Sequence, residues 1–206
     1  MSTRVNESRR RRRVSGWLIV AALEVLPLGC MRPPIPPPPP SVRSVAVLPP
    51  KNLTGDTLPV AGGSLLERYA LRTSPITVPD VLADEAESLL EARGYRVAAV
   101  TLVQQATGGA APENAEAAAR IAAQGHLEGA VLYLEIRRWE ADAATHPAFV
   151  IVGVAATLID TPTGRVIWSV HPSIHPVATP GAVTLGSAYE IAARKVVEEI
   201  LAPWRS

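Results

Sequence analysis

The sequence is poor in cysteine, in aromatic residues and in net charge. Cys30 is the single cysteine among 206 residues, which excludes an internal disulfide framework and a metal cluster held by several cysteines. Aromatic residues make up 4% of the chain although 48% is hydrophobic, so the core must rely on aliphatic side chains. The formal net charge is only +1.

This small net charge is the sum of two unlike parts. Residues 1–29 hold six arginines and two glutamates, a charge of +4, so the remainder holds 14 basic and 17 acidic side chains, a charge of −3. A mildly acidic body gives no electrostatic footprint for nucleic acid. We therefore predict no nucleic-acid partner.

The N-terminal region has the layout of an export signal. A basic run, Arg9–Arg13, precedes an apolar stretch from Trp17 to Leu28 that only Glu24 interrupts. This stretch is short for a transmembrane span and typical of a signal-peptide core. An uncleaved anchor and a twin-arginine export signal are the alternatives.

The stretch LPLGC (residues 26–30) resembles a bacterial lipobox, although Pro27 and Leu28 depart from its usual leucine-then-small pattern. The resemblance implies a signal peptide over residues 1–29, cleavage between Gly29 and Cys30, and diacylglycerol on the Cys30 thiol. Met31 follows the cysteine, which by resemblance to enteric lipoproteins implies sorting to the outer membrane. We expect the domain to face the periplasm, with exposure at the cell surface as the alternative.

Residues 30–42 are predicted to form an acylated cysteine and a proline-rich stalk. The run RPPIPPPPP (residues 32–40) has no place inside a helix or sheet and favours polyproline II. At about 3.1 Å per residue it would extend roughly 28 Å. The alternative is that this run is the ligand of a proline-recognising groove.

Residues 43–206 are predicted to form one α/β domain. Apolar runs indicate strands over Val45–Leu48 and Tyr95–Leu102, and a third strand from Ala130. A hairpin follows, with its turn at DTPTG (residues 160–164). Between the strands lie an amphipathic helix capped by Thr77 and ended by Gly94, and an alanine-rich helix over about residues 113–124. A final helix has an apolar stripe of Leu185, Ala188, Ala192, Val196 and Ile200.

This order predicts a mixed sheet of about five strands with helices packed on it. The stretches VAVLPPKNLTGD, GAVLYLEIRRWE and ATLIDTPTGRVIWS carry a family resemblance. The first is similar to periplasmic lipoproteins of the curli-secretion and peptidoglycan-synthase-activator types. The other two resemble surface lipoproteins of unknown function of the neisserial vaccine-candidate type. The resemblance implies a domain like the N-terminal domain of the Tol translocation protein, and no catalytic residues.

Candidate chemistry in the domain is sparse. His171 and His175 have a zinc-like spacing, but the adjacent prolines argue against the helix that this spacing needs. Four carboxylates could supply a catalytic pair, namely Glu135, Glu140, Asp142 and Asp160. Asp160 is better explained as a turn residue. Ser64 lacks a full nucleophile elbow, and the TGGAAPEN segment (residues 107–114) lacks the lysine of a phosphate loop. We predict no catalytic residue, metal or cofactor.

The predicted function is a non-enzymatic, membrane-anchored envelope lipoprotein that acts as an adapter or assembly factor. Arg137, Arg138 and Trp139, with the loop Lys51–Leu58, form the predicted partner surface, because arginine and tryptophan are enriched at interfaces. The expected partner is an envelope protein or the peptidoglycan machinery, and self-association is an open alternative. A subunit of an oligomeric export pore and an envelope hydrolase are the alternative functions.

Overall fold

The computed structural model describes residues 34–60 and 75–204. The predicted signal peptide, Cys30 and the segment around Ser64 lie outside the described residues. Within those ranges the chain forms seven strands and four helices. The strands are β1 (Ser44–Val47), β2 (Lys51–Asn52), β3 (Arg96–Val97), β4 (Ala130–Ala141), β5 (Phe149–Asp160), β6 (Val166–Val170) and β7 (His175–Ala178). The helices are α1 (Val78–Ala92), α2 (Val100–Thr107), α3 (Ala115–Gln124) and α4 (Leu185–Leu201).

The sheet has the mixed topology that the sequence predicts. Its order is β3-β1-β4-β5-β6, with β1 parallel to both β3 and β4, and β5 antiparallel to β4 and β6. The short β2 continues the line of β1 along β4, and β7 continues the line of β6 along β5. The seven strands therefore occupy five positions, which confirms the predicted α/β class with about five strands.

Helices cover both faces of the sheet. A larger core lies between one face and the helices α1 and α4, and it holds alternate residues of β4 and β5 such as Leu132, Leu134, Val154 and Leu158. A smaller core lies on the opposite face beneath α2 and α3. Its members are mostly small or aliphatic: Ala46, Leu48, Val103, Ala118, Ala122, Leu127, Val131, Tyr133 and Ile159. None of the four described helices is long and apolar enough to cross a bilayer.

The amphipathic helices begin at the caps that the sequence indicates. At the start of α1, the backbone N–H and the hydroxyl of Thr77 both donate to Asp80 Oδ2 at 2.8 Å. The stripe of Leu82, Ala86 and Leu90 is buried against the sheet. Gly94 follows the helix at φ +82°, a left-handed conformation that glycine adopts without strain.

The predicted second strand, Tyr95–Leu102, is largely wrong. Only Arg96 and Val97 pair with β1, and the chain turns into α2 at Val100. Val100 and Val103 are spaced three apart, so the apolar run fits a helix as well as a strand. The helix is favoured because it places Val103 in the smaller core.

The segment around the two close histidines also differs from its expected loop. His175 begins β7, and its Nε2 lies 3.1 Å from Glu199 Oε2 of α4. In the same helix, Lys195 Nζ donates to the carbonyl of Ala178 in β7 at 2.6 Å. Arg194 of α4 also pairs with Glu190, one turn earlier, at 2.9 Å.

Residues 34–40 of the proline-rich segment belong to the same compact unit as the domain, since that unit begins at Pro34. Ile35 packs against the larger core, and Trp168 of β6 donates its indole Nε1–H to the carbonyl of Pro36 at 2.8 Å. The structure thus differs here from the free stalk that the sequence predicts. The described part of the proline run, residues 34–40, lies on the domain.

A steric constraint fixes how β4 enters the sheet. Gly129, just before β4, has φ +77°, and a Cβ atom there would lie 2.4 Å from the backbone oxygen of Ser44. Gly108 has a similar φ of +63° but faces open space. An alanine at position 108 would therefore introduce only the strain of a left-handed backbone, whereas an alanine at position 129 would add the steric clash with Ser44.

We expect Gly129→Ala to lower the free energy of unfolding by about 3 kcal/mol, since it combines left-handed strain with overpacking against β1. The control Gly108→Ala should cost about 1 kcal/mol, from the backbone term alone. Urea unfolding followed by tryptophan fluorescence measures both values. Equal losses for the two variants would contradict the proposed close contact.

Candidate functional site

A β-bulge in β4 creates the most distinctive exposed feature of the sheet. Ile136 pairs with Val154 and Arg138 pairs with Gly153, so Arg137 is an extra residue in β4. Ile136 and Trp139 both enter the larger core. The two arginines between them are consequently kept out of that core.

The arginines are held by carboxylates two residues away along the strand. Arg137 lies 2.6 Å from Glu135, and Arg138 lies 2.8 Å from Glu140. Leu53 is about half exposed, at 49%, and its backbone N–H donates to the carbonyl of Ile136 at 2.8 Å. We call this surface the arginine ridge and define it as Leu53, Glu135, Arg137, Arg138 and Glu140.

The ridge brings together two parts of the predicted partner surface. The loop Lys51–Leu58 starts with β2, which pairs with Glu135 and Ile136 of β4, so it lies beside Arg137. Within this loop Asn52 accepts from the backbone N–H and the hydroxyl of Thr54 at 3.0 and 2.9 Å. Those hydrogen bonds give the loop a defined shape next to the arginines.

Trp139 does not belong to this surface, which corrects the prediction. Its side chain is 2% exposed and meets the ring of Tyr189 in α4 edge-on, with centroids 6.2 Å apart. Simple alternation from Leu134 would place Arg138 inside and Trp139 outside. The bulge shifts the register by one residue and reverses that placement.

The exposed ion pairs of the ridge leave it free to bind. The hydrogen bond from Arg138 lowers the pKa of Glu140, so this carboxylate stays charged. Ion pairs between solvent-accessible side chains of this kind contribute little to stability. They can be exchanged at little cost for carboxylates of a partner, because guanidinium groups bind carboxylates in a bidentate way.

The ridge is connected to a buried phenol. Tyr133 is 1% exposed, and its hydroxyl donates to the carbonyl of Pro112 at 3.3 Å and lies 3.5 Å from Glu135 Oε1. Burial, together with the charge of Glu135 and the hydrogen bond with it, raises the pKa of Tyr133 to about 12 against the opposing effect of Arg137.

Sequence reasoning missed a cleft at the carboxyl end of β1. The cleft has a volume of about 460 Å³ and lies between the end of β1, the first turns of α1, and α2. The helix α1 before β3 lies on one face of the sheet, and α2 after β3 lies on the opposite face. The cleft is therefore at a topological switch point, where α/β sheets usually carry a binding crevice. Its position follows from the strand order, which the sequence alone does not provide.

The cleft is acidic rather than suited to phosphate. Asp80, Asp84 and Glu87 line it from α1 at helical spacing. Burial raises the pKa of Glu87, and the nearby charges of Asp84 and Glu91 raise it further. Gly109, which belongs to the glycine pair of the TGGAAPEN segment, lines this acidic cleft. The negative charge of the cleft favours a cationic group over an anion such as phosphate.

Other predicted site residues take structural positions. Asp160 organises the β5–β6 turn as predicted, because its Oδ2 accepts from the backbone N–H and the hydroxyl of Thr163 at 3.2 and 2.5 Å. Asp142 accepts from the backbone N–H of Ala148 at 3.0 Å. The structure does not bring His171 and His175 into a group of three metal-binding side chains, and no such group occurs within residues 34–60 and 75–204.

No family model and no curated protein matches the chain. Among solved structures, it is similar to the PelC dodecamer from Paraburkholderia phytofirmans, with 18% identity over 83% of this chain and 96% of that chain and a TM-score of 0.45. It is also similar to lipoprotein GNA1162 from Neisseria meningitidis, with 19% identity over 78% and 99% and a TM-score of 0.40. The LpoB C-terminal domain from Salmonella enterica matches with 16% identity over 66% and 82% and a TM-score of 0.35. These neighbours include the neisserial kind of lipoprotein that the sequence resembles.

The raised pKa of Tyr133 predicts a loss of stability at alkaline pH. The unfolded chain releases the phenol proton near pH 10, whereas the folded chain keeps it until about pH 12. The contribution is therefore complete below pH 10 and is lost as the pH rises to 12. Urea unfolding of the wild type and of Tyr133→Phe between pH 9 and pH 12 measures it.

We expect the wild type to lose stability more steeply than Tyr133→Phe over this interval. Subtracting the slope of stability against pH of one protein from that of the other cancels the contribution of every titrating group that both proteins share. Parallel slopes would show that the folded state does not hold the Tyr133 proton.

Proposed function

We propose that this protein is a lipid-anchored lipoprotein of the bacterial cell envelope that binds another envelope component as a non-enzymatic adapter. The observation that carries the proposal is the order of three parts along the chain. A basic and apolar leader ends at Gly29, Cys30 and a proline-rich segment follow, and an α/β domain lies after them.

In this proposal, residues 1–29 are a signal peptide, and residues 30–42 are the acylated linker that precedes the domain. Each buried methylene of a lipid chain contributes about 0.8 kcal/mol, and stable anchoring takes about two chains. A diacylglycerol on Cys30 supplies two. The outer membrane, with the domain in the periplasm, is the location that Met31 supports by resemblance.

The arginine ridge is the proposed contact with the partner. It combines a half-exposed leucine with two guanidinium groups at a bulge of the sheet, and arginine is one of the residues enriched at the centres of interfaces. Tethering raises the local concentration of the domain near a second envelope component, so a weak contact suffices. An envelope protein or the peptidoglycan machinery fits this role, and a second copy of the chain is the alternative partner.

Lipidation is tested by metabolic labelling with palmitate. We expect the wild type to be labelled and Cys30→Ser to lose the label, because the Cys30 thiol is the acceptor of the lipid. Ser64→Ala is the control variant and should be labelled like the wild type. Equal labelling of Cys30→Ser and the wild type would rule out the anchor.

The ridge is tested by photo-crosslinking in intact cells. We expect a photoreactive residue at Leu53 to give a crosslinked partner, whereas one at Leu102, which is similarly exposed at 54% on α2, should not. Arg137→Glu should reduce the yield at Leu53 by about tenfold, equivalent to about 1.4 kcal/mol of binding.

Arg120→Glu provides the matched control, because Arg120 is also an exposed arginine paired with a glutamate, Glu116 at 3.7 Å. It should leave the yield at Leu53 unchanged. Equal crosslinking at Leu53 and Leu102, or equal effects of the two charge reversals, would contradict the ridge as the contact. The export-pore and hydrolase alternatives remain predictions that identification of the crosslinked partner addresses.

A further inference from the structure

The proline-rich segment makes specific contacts with the domain. We call residues 34–40 the strap. Ile35 is half-buried against the larger core, and Pro38 and Pro39 are half-buried as well. The backbone N–H of Val42 donates to the carbonyl of Pro39 at 3.1 Å, and Val42 itself is buried. The strap therefore enters the fold before β1 begins.

Trp168 holds the strap at its centre. The indole Nε1–H donates to the carbonyl of Pro36 at 2.8 Å across 132 residues of sequence, and the ring is 6% exposed. Polyproline II has no internal hydrogen bonds, so its carbonyls are free to accept from outside. A hydrogen bond stabilises a buried indole N–H, and the strap supplies the acceptor for Trp168.

An aromatic cluster supports Trp168. Its ring meets that of Trp204 edge-on with centroids 5.2 Å apart, and Trp204 in turn meets Tyr95 at 5.5 Å. The whole chain has only four tryptophans and four tyrosines, so three of these eight residues are gathered at one place. Grooves lined by aromatic residues are the general means by which proteins bind polyproline II segments.

We propose that Tyr95, Trp168 and Trp204 form an intramolecular polyproline-binding groove whose occupant is the chain's own strap. The rigid conformation of the prolines makes docking inexpensive in entropy, because little freedom is lost on binding. Pro34, Pro36 and Pro37 remain exposed, so the contact consists of the half-buried Ile35, Pro38 and Pro39 and of the hydrogen bond to Trp168.

Docking sets the reach of the domain. The seven strap residues in polyproline II would span about 22 Å when the strap is released. When the strap is docked, this length adds nothing to the distance between the linker and the domain. This consequence for reach rests on the proposed lipid anchor. The docking itself does not, and it is tested without reference to lipidation.

The test follows hydrogen exchange of the tryptophan indoles in the full chain labelled with ¹⁵N-tryptophan. We expect the Trp168 indole, assigned by its loss in Trp168→Phe, to be protected in the wild type. Ile35→Ser should accelerate its exchange by about tenfold, equivalent to about 1.4 kcal/mol of docking, whereas Pro37→Ser at an exposed strap position should not. The indoles of Trp139 and Trp204 should stay protected in both variants, which shows that the fold is intact.

An unprotected Trp168 indole in the wild type, or unchanged exchange in Ile35→Ser, would overturn the proposal. A second measurement identifies the occupant. A nitroxide on Pro34→Cys, in a Cys30→Ser background, should broaden the Trp168 resonance of the same chain. Broadening in a mixture of spin-labelled unenriched chains with ¹⁵N-labelled chains lacking the nitroxide would instead place the strap of a second copy in the groove and overturn the intramolecular assignment.

Discussion

The antiparallel pairing of β4 with β5 is the interaction on which the rest of the domain depends. Each strand has 12 residues, and every other strand except β3 pairs directly with one of them. The line of β1 and β2 occupies the free side of β4, and the line of β6 and β7 occupies the free side of β5. Their alternate residues also supply the sheet side of both cores. A change in the register of this pair would therefore alter the core, both flanking lines and the exposed ridge together.

One irregularity in that pair decides which side chains face outward. The bulge at Arg137 lets β4 bury Ile136 and Trp139 with two arginines between them. Charged side chains gain nothing from a position under α4, so the bulge places them where water or a partner can reach them. Arg137 is linked through Glu135 to Tyr133, which is packed in the smaller core. The surface proposed for binding is thus tied to the interior by a short chain of polar contacts.

Features that arise from neighbouring residues could be predicted from the sequence, whereas those that depend on distant contacts could not. The Asp160 turn, the cap of α1 and the stripe of α4 all follow from spacing within a few residues. The burial of Trp139 depends on a bulge that alternation conceals. The acidic cleft depends on the order of strands, and the docking of the strap joins Pro36 to a tryptophan far along the chain. Val100 shows the intermediate case, because its surroundings in sequence fit strand and helix alike.

The contact between Pro36 and Trp168 also determines how the domain would carry mechanical load. The strap passes β6, at one edge of the sheet, before the chain enters β1 between β3 and β4. A pull applied at the N-terminal end of the strap would first act on one hydrogen bond and on Ile35. These weak contacts would yield before force reached β1, whose ladders on both sides hold it in place. The strap would then detach from the domain and extend under tension, while the sheet stays folded.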